Sequence, residues 1–315
     1  MPKGRENQEP LLDLATRSLD EQPLAIGVVA RSVMRLTADP EIGIWELARA
    51  VSADPGLSGK IIKMANSAFY AGPSIVTSIP EAIAKLGITA TRSVAITASV
   101  QALFRHGGRE GFERDLWLHS LVVGIGSRII AQHSGSLLAE EAFLSGLLHD
   151  IAKLVLLQRF PQIYGPILRR TVENDEVSLD VELTCMGFTH ADLGAMILER
   201  WAFGPVAVRA VRFHHDPDRT GSIPNKDHVQ RDARQIAHAI CLANVLGKYL
   251  QKASRNPCKM SIPNSPSREH FTFTNEQLNG IAEEISFRVG DELQVFGQPD
   301  TPMFVPKHRT SAGIT

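Results

Sequence analysis

Residues 143–157 read FLSGLLHDIAKLVLL, and this stretch indicates both the fold class and where chemistry should be sought. Its apolar residues cover nearly every side of a helix, and a helix that is apolar all round is buried among other helices. His149 and Asp150 interrupt the apolar run. A buried carboxylate costs roughly several kcal/mol unless a cation or strong hydrogen-bond donors compensate it. The stretch therefore predicts a helical core that holds an acidic group with a partner.

Two kinds of partner for Asp150 remain open. Lys153 lies three residues further on, so a local ion pair or hydrogen-bonded network could satisfy the carboxylate without any metal. Alternatively, imidazole and carboxylate are ligands that Fe, Mn and Zn accept, and a central helix would hold His149 and Asp150 rigidly. The spacing alone does not decide between a structural network and a metal site.

Composition limits the classes of function. The chain has 315 residues, with 33 basic and 34 acidic residues, so it has no large basic footprint and direct nucleic-acid binding is not expected. Its three cysteines, Cys185, Cys241 and Cys258, are odd in number and scattered, which argues against a disulfide framework. The polar start MPKGRENQEP lacks the apolar region of a secretory signal, and no later run is long enough to span a membrane. We therefore expect a cytoplasmic protein.

Apolar periodicity predicts helices along most of the chain and no convincing strand. Helix starts are expected where a capping residue precedes the apolar pattern, at Asp54, Ser78, Thr89 and Thr189. DLWLHSLVVGIGSRIIAQH and EEAFLSGLLHDIAKLVLLQRF each read as one long helix, after a polar connector over 106–114. Another helix is expected from Pro205 to the pair His214 and His215, and 251–269 reads as a mobile excursion.

The helices carry motifs that resemble the HDOD family, a branch of the HD-domain superfamily, over roughly residues 19–249. The matching motifs are DPGLSGKIIKMANSAFYAG, SIPEAIAKLG, LWLHS, GLLHDIAKLVL, GFTHADLGAMILERW and HH followed by DP. The resemblance implies an all-α fold in which an N-terminal helical subdomain, residues 14–105, packs on an HD-like helical subdomain, residues 112–250. We expect flexible tails at 1–13 and 299–315, and a loop with a C-terminal helix at 251–298.

The resemblance also implies a set of metal positions. Catalytic members of the superfamily bind metal through a histidine, a His-Asp pair and a later aspartate, which match His119, His149 with Asp150, and Asn244 here. Asn244 departs from that pattern, and a neutral amide oxygen is a weaker ligand that should lower metal affinity and impair activation of water. Ala152 likewise replaces a glycine that is frequent in catalytic members. Four further residues match supporting or second-metal positions of a related phosphodiesterase branch. They are Lys153, His190, His214 and His215.

Each histidine also has a structural interpretation. His119 is compatible with a core histidine that is hydrogen-bonded to backbone, and His190 with a local cap at a helix N-terminus, where a neutral ring is favoured. His214 and His215 are expected to end a helix, where a cationic ring is favoured. Three other side chains could hold a phosphate, although exposed arginines on helices are usually solvated: Arg92, Arg209 and Arg212.

Three functional hypotheses follow. In the first, the chain is an HDOD-type signal-transduction module that acts through signalling proteins or a small nucleotide-type ligand, with a degenerate site that lacks turnover. In the second, it is a metal-dependent phosphohydrolase or phosphodiesterase for a nucleotide or cyclic dinucleotide, with one or two divalent ions and Lys153 stabilising charge on phosphoryl oxygens. In the third, a bound metal is structural, or the pocket senses a nucleotide without cleaving it.

Overall fold

The computed structural model describes residues 11–21, 26–39, 41–70, 72–104, 110–173, 178–221, 228–255 and 262–296. Over these ranges the chain is all-α, with two short 3-10 turns and no β-strand. The first helix begins at Leu11, inside the segment expected to be a flexible tail, because Leu11 and Leu12 pack against the hydrophobic core. Residues 1–10 of that tail and the expected tail at 299–315 lie outside the described residues.

In the N-terminal half, the described residues form six helices whose apolar faces meet in one core. They are α1 (Leu11–Glu21), α2 (Val28–Leu36), α3 (Ile44–Ser52), α4 (Pro55–Ala65), α5 (Ile79–Leu86) and α6 (Ile88–Phe104). Asp54 and Ser78 each accept a hydrogen bond from a backbone N–H in the first helical turn, as predicted. Thr89 is not a cap, because Gly87 alone separates α5 from α6 and the new helix has already begun at Ile88.

The described parts of the second half contain ten further helices. They are α7 (Glu110–His133), α8 (Ala139–Leu148), α9 (Ile151–Arg159), α10 (Pro161–Glu173), α11 (Ser178–Met186), α12 (His190–Arg200), α13 (Pro205–Arg212), α14 (His228–Arg255), α15 (Pro266–Phe271) and α16 (Asn275–Phe296). The polar connector was predicted too long, since α7 already begins at Glu110. Helix α15 occupies part of the segment expected to be a mobile excursion.

The single long helix predicted over EEAFLSGLLHDIAKLVLLQRF is wrong, because His149 and Asp150 form a turn between α8 and α9. Neighbours in a continuous helix point about 100° apart. Here Asp150 leaves helical geometry, with φ −106° and ψ 11°, and its Oδ2 comes within 3.3 Å of His149 Nε2. The break therefore brings two adjacent side chains to one site.

The helix predicted to run to His214 and His215 also ends earlier than expected. Helix α13 ends at Arg212, so both histidines lie beyond the helix rather than in its last turn.

Close packing of α7 on α8 positions the first of the site histidines. A Cβ atom added at Gly146 would lie 2.6 Å from Ser127 Oγ and 2.9 Å from the Val123 carbonyl oxygen, so only glycine fits at this crossing. Because the two helices approach so closely, the rings of His119 on α7 and His149 after α8 have centroids 5.3 Å apart.

Candidate metal centre

The predicted site residues converge although they come from four separate parts of the chain. Helix α7 supplies one histidine, the turn after α8 supplies the His-Asp pair, the first position of α12 supplies another, and the turn after α13 supplies two more. In that order they are His119, His149 with Asp150, His190, and His214 with His215. A capping box between Thr189 and Asp192 starts α12, as predicted, and so places His190 at its first position.

These residues form two groups of possible metal ligands. In each group the ligand atoms lie within 4.8 Å of one another. The first group is His119, His149 and Asp150, and the second is His190, His214 and His215. Asp150 connects the two groups, because its Oδ2 faces the first group while its Oδ1 lies 3.1 Å from His190 Nε2. If each group held an ion, Asp150 would be shared between the two groups.

Two histidines are held with their Nε2 atoms available for coordination. His149 Nδ1 lies 2.6 Å from the Gly146 carbonyl oxygen, and His214 Nδ1 lies 2.7 Å from the Val211 carbonyl oxygen. A carbonyl oxygen can only accept, so Nδ1 donates in both rings, and in the neutral form of an imidazole Nε2 then keeps its lone pair. Hydrogen bonds of this kind orient histidine ligands around metals in general.

Four polar atoms at the predicted positions are buried and make no hydrogen bond to any residue that the structure describes. Such atoms are rare in native proteins, and each costs about 1–3 kcal/mol when it is left unsatisfied. The nearest contacts of Asp150 Oδ1 and His149 Nε2 are the other ligand atoms of the site, without hydrogen-bond alignment. The four atoms are His149 Nε2, Asp150 Oδ1, His214 Nε2 and Asn244 Oδ1.

A second layer of polar residues holds His190, and the sequence interpretation missed it. Glu182 on α11 accepts hydrogen bonds from the backbone N–H of His190 at 2.8 Å and from its Nδ1 at 2.7 Å. Tyr164 on α10 donates its hydroxyl to Glu182 Oε1 at 2.8 Å. The available signal was helical spacing, because Glu182 and the buried Met186 lie four residues apart on one face of α11.

Burial and charge keep most of the site histidines neutral. Burial lowers the pKa of His119 to about 3 and that of His215 to about 2, and it also places the pKa of His214 well below its usual value. The position of His215 near a helix C-terminus therefore does not make it cationic, because burial outweighs the helix dipole. Neutral imidazole is the form that binds a metal.

The charged groups of the site are Asp150, Lys153 and His190. Burial alone would raise the pKa of Asp150, but His149 and Lys153 outweigh it and hold this pKa well below its ordinary value. Burial and Lys153 lower the pKa of His190, yet Glu182 and Asp150 raise it overall. The sequence predicts a neutral His190 ring at the helix N-terminus, but Glu182 and Asp150 act in the opposite direction.

The local ion pair inferred from the sequence is present, but it does not satisfy the whole site. Lys153 Nζ lies 2.8 Å from Asp150 Oδ2. This contact leaves Asp150 Oδ1 and the Nε2 atoms of His149 and His214 without hydrogen bonds. A donor set of imidazole nitrogens and one carboxylate suits Zn, Fe or Mn. The residues present therefore fit a divalent metal ion better than they fit a closed hydrogen-bond network.

Among the described residues, no helix is both long enough and apolar enough to cross a membrane.

One curated relative is an uncharacterized protein of Treponema pallidum (strain Nichols). It is 19% identical to this chain over 219 residues, which are 69% of this chain. The match spans 40% of the length of that relative.

Several solved structures share the fold. The crystal structure of a candidate phosphohydrolase from Shewanella amazonensis SB2B has a TM-score of 0.67 at 22% identity, and the match covers 90% of this chain and 98% of that one. An HDOD domain protein of unknown function from Geobacter sulfurreducens has a TM-score of 0.67 at 19% identity, and the match covers 93% of this chain and 98% of that one. A candidate signal transduction protein from Marinobacter aquaeolei VT8 has a TM-score of 0.65 at 22% identity, and the match covers 94% of this chain and 62% of that one. At these identities the likeness shows the fold alone.

The family follows from the sequence itself. A model of the HDOD domain matches residues 24–217, which is more than half of the chain and includes every histidine and the aspartate of the two groups. The turn between α8 and α9, the start of α12 and the turn after α13 all fall inside this match. The chain belongs to the HDOD domain family.

Proposed function

We propose that this chain is an HDOD signalling module whose buried His-Asp centre binds one or two divalent ions and does not turn over a phosphoester. The observation that carries the proposal is a set of buried ligand atoms that make no hydrogen bond to a described residue, on His149, Asp150, His214 and Asn244. Together these atoms would cost several kcal/mol, roughly, if nothing satisfied them. A cation coordinated by them removes that cost and makes metal binding part of folding stability.

Two groups of residues would each hold one ion. His119, His149 and Asp150 would hold one ion, while His190, His214 and His215 would hold the other, with Asp150 shared. A divalent ion supplies positive charge and Lewis acidity at this position. Glu182 holds His190 in place, and its negative charge raises the basicity of that ring.

Burial and ligand type support a centre without turnover. Asp150 has only 3% of its side chain exposed, and the side chains of His149 and His190 are fully buried, which leaves little room for a phosphoester beside them. Lys153 already neutralises Asp150 Oδ2. Asn244 lies on α14, and the HDOD resemblance matches its neutral amide to a carboxylate of catalytic members; a neutral ligand there would weaken the charge needed to hold and activate water.

A specific observation favours a second candidate, a metal-dependent phosphohydrolase. His119 and Lys153 each expose 17% of their side chains, so one edge of the first ligand group reaches solvent. A phosphoryl group that entered at this edge would meet the Lys153 ammonium, which can stabilise charge on its oxygens. Proteins of this fold that are named as candidate phosphohydrolases agree with this alternative.

Elemental analysis tests the metal site directly. The full chain is purified without an affinity tag or chelator, beside His149→Ala, His214→Ala and the control His133→Ala, whose ring is largely exposed and pairs with Glu284. We expect Fe, Mn or Zn in near-stoichiometric amounts in the wild type and the control, and a loss from the two site variants. Equal metal contents in all four proteins, or none in any, would contradict the proposal.

Turnover is tested separately. Metal-loaded protein is assayed for hydrolysis of bis(p-nitrophenyl) phosphate and of cyclic dinucleotides, beside Asn244→Asp. We expect no hydrolysis by the wild type, and slower loss of metal to a chelator in Asn244→Asp because a carboxylate is the stronger ligand. Metal-dependent hydrolysis by the wild type that disappears in Asp150→Ala would favour the phosphohydrolase and reject a centre without turnover.

A further inference from the structure

A second concave site lies between the two halves of the molecule. Its cavity has a volume of about 660 Å³, which is in the range of pockets that hold small molecules. Helices α1, α2 and α6 of the first half line one side, and the C-terminal end of α12 with the following loop lines the other. None of the metal-centre residues lines it, so this cavity is a separate feature.

Four arginines from three helices line this cavity, and they set its charge. They are Arg31 and Arg35 on α2, Arg92 on α6 and Arg200 on α12. No acidic residue is among the described lining residues. Asp20 pairs with Arg200 at 3.0 Å, and its side chain is 61% exposed. The four guanidinium groups outnumber the nearby carboxylates, so the cavity has an excess of positive charge.

Arg31 and Arg35 are exposed, whereas Arg92 is half-buried. Nε of Arg92 is buried and makes no hydrogen bond to any residue that the structure describes, which is costly for a charged group. Like charges that converge on one concavity also repel one another, and a bound anion would remove both costs. Guanidinium groups bind phosphate through paired hydrogen bonds in a fixed fork. The cavity is therefore suited to a phosphorylated ligand.

The rest of the cavity wall is apolar and includes an aromatic ring. Trp201, Ile26 and Ile197 line it together with Met34. A ligand that fills this volume would thus combine a phosphate group with a flat apolar part that contacts the indole ring. The adjacent lining residue Ala202 has φ +57°, a strained conformation of the kind that clusters at functional sites.

We propose that the arginine cavity, lined by Arg31, Arg35, Arg92, Arg200 and Trp201, binds a nucleoside phosphate. The ligand's phosphate contacts the guanidinium groups and its base lies against the apolar wall. Because the lining comes from both halves of the molecule, the bound ligand holds α2 and α6 against the end of α12. The proposal goes beyond the metal centre and uses none of its residues.

Isothermal titration calorimetry on the full chain tests this site, with ADP, GDP, pyrophosphate and adenosine as probes. We expect saturable binding of ADP or GDP and weaker binding of pyrophosphate and of adenosine. Arg31→Gln and Arg35→Gln alter exposed side chains that folding tolerates, and each should raise the dissociation constant about ten-fold or more, because each removes a charge-assisted hydrogen bond. Arg212→Gln, an exposed arginine on α13 away from the cavity, is the matched control and should bind like the wild type.

Titrations repeated in the presence of EDTA separate this proposal from the metal centre. Binding that persists with EDTA and is weakened by the Arg31 and Arg35 changes supports the arginine cavity even if no metal is bound elsewhere. Nucleotide binding that EDTA abolishes and that these changes leave intact would place the nucleotide at the metal centre and overturn the proposal. Pyrophosphate binding as tight as that of ADP, equal weakening in Arg212→Gln, or no saturable binding of either nucleotide would overturn it as well.

Discussion

At the residue scale, three imidazoles of the centre are oriented by the contact that Nδ1 makes. Backbone carbonyl oxygens fix the rings of His149 and His214, whereas a carboxylate fixes His190. The difference matters for metal binding, because the carboxylate of Glu182 also favours a proton on His190 when no metal is present. Metal and proton therefore compete for this ring.

Replacing Glu182 tests that contact. Glu182→Gln keeps the shape of the side chain but removes the negative charge beside His190, so metal affinity should fall about 10- to 100-fold. Tyr164→Phe is the control, since it removes only the hydroxyl that donates to Glu182 and should have the smaller effect. Competition of the loaded proteins against a chromophoric chelator measures both changes. Unchanged affinity in Glu182→Gln would show that His190 takes no part in metal binding.

At the element scale, the end of α12 carries conformational strain. The Ala202 N–H donates to the Glu199 carbonyl and the Phe203 N–H donates to the Leu198 carbonyl, each at 3.0 Å. This is the Schellman pattern, whose left-handed position normally holds glycine, but here it holds Ala202 at φ +57°. Sequence inspection does not reveal this position, because alanine is the strongest helix former and carries no C-cap signal.

Ala202→Gly should therefore stabilise the fold. Relief of the left-handed strain is worth about 1–2 kcal/mol, and the added flexibility of glycine in the unfolded chain offsets part of it. We expect the free energy of unfolding in urea to rise by about 0.5–1 kcal/mol, with an unchanged m-value. Ala195→Gly, at a helical position inside α12, is the contrasting variant and should lower it. Destabilisation by Ala202→Gly would contradict the strain argument.

The packing of α15 on α14 should give the protein an acid sensitivity. The His238 ring stacks on His270 with centroids 3.8 Å apart, and its Nδ1 lies 3.1 Å from Ser267 Oγ. Burial lowers the pKa of His238 to about 4, assisted by the charge of His270 and partly opposed by Asp218. The unfolded chain, with an ordinary histidine pKa of about 6.5, binds this proton first, so folding stability falls as pH decreases from 6.5 toward 4.

The matching experiment compares urea unfolding of the wild type and His238→Gln across pH 4 to 7. Buried histidines of the metal centre contribute to the same acid sensitivity in both proteins, so the difference between the two curves isolates His238. We expect the variant to lose less stability below pH 6.5. Parallel curves would show that His238 titrates normally.

At the scale of the whole molecule, α16 lies outside the segment that the family model matches. It nevertheless packs against residues inside that segment. The ring of Phe296 contacts Trp117 at a centroid distance of 6.4 Å, and the Gln101 side-chain amide donates to the Phe296 carbonyl. Arg128 on α7 pairs with Glu292 on α16 at 3.0 Å and with Glu140 on α8 at 2.9 Å. These contacts make α16 part of the common core.

Removal of residues 262–315 should consequently unfold the chain rather than leave a stable domain. The deletion removes five fully buried apolar side chains of α16, each worth about 1.5–3 kcal/mol, which together approach the whole stability of a typical domain. They are Leu278, Ile281, Ile285, Val289 and Phe296. A chain that ends at residue 296 keeps all the described contacts and is the control. Near-UV circular dichroism and cooperative melting of the shorter chain like those of the control would contradict this prediction.

The sequence by itself determined the features that depend on near neighbours. Apolar periodicity and capping residues predicted most helices, including the starts at Asp54, Ser78 and Thr189, because these signals act within one or two helical turns. The motifs of the HDOD resemblance named the histidines and Asp150 that the structure brings together. Their chemistry as ligands follows from residue type alone.

Only the tertiary structure decided what depends on contacts between distant segments. The break at His149 and Asp150 was read as continuous helix, since both flanks are apolar and neither contains glycine or proline beside the turn. Glu182 reaches His190 from another helix, and the four arginines of the cavity come from three helices. The free nitrogens of His149 and His214 are likewise set by carbonyl oxygens that the folded backbone presents. Local sequence does not encode these distances, because packing of whole helices sets them.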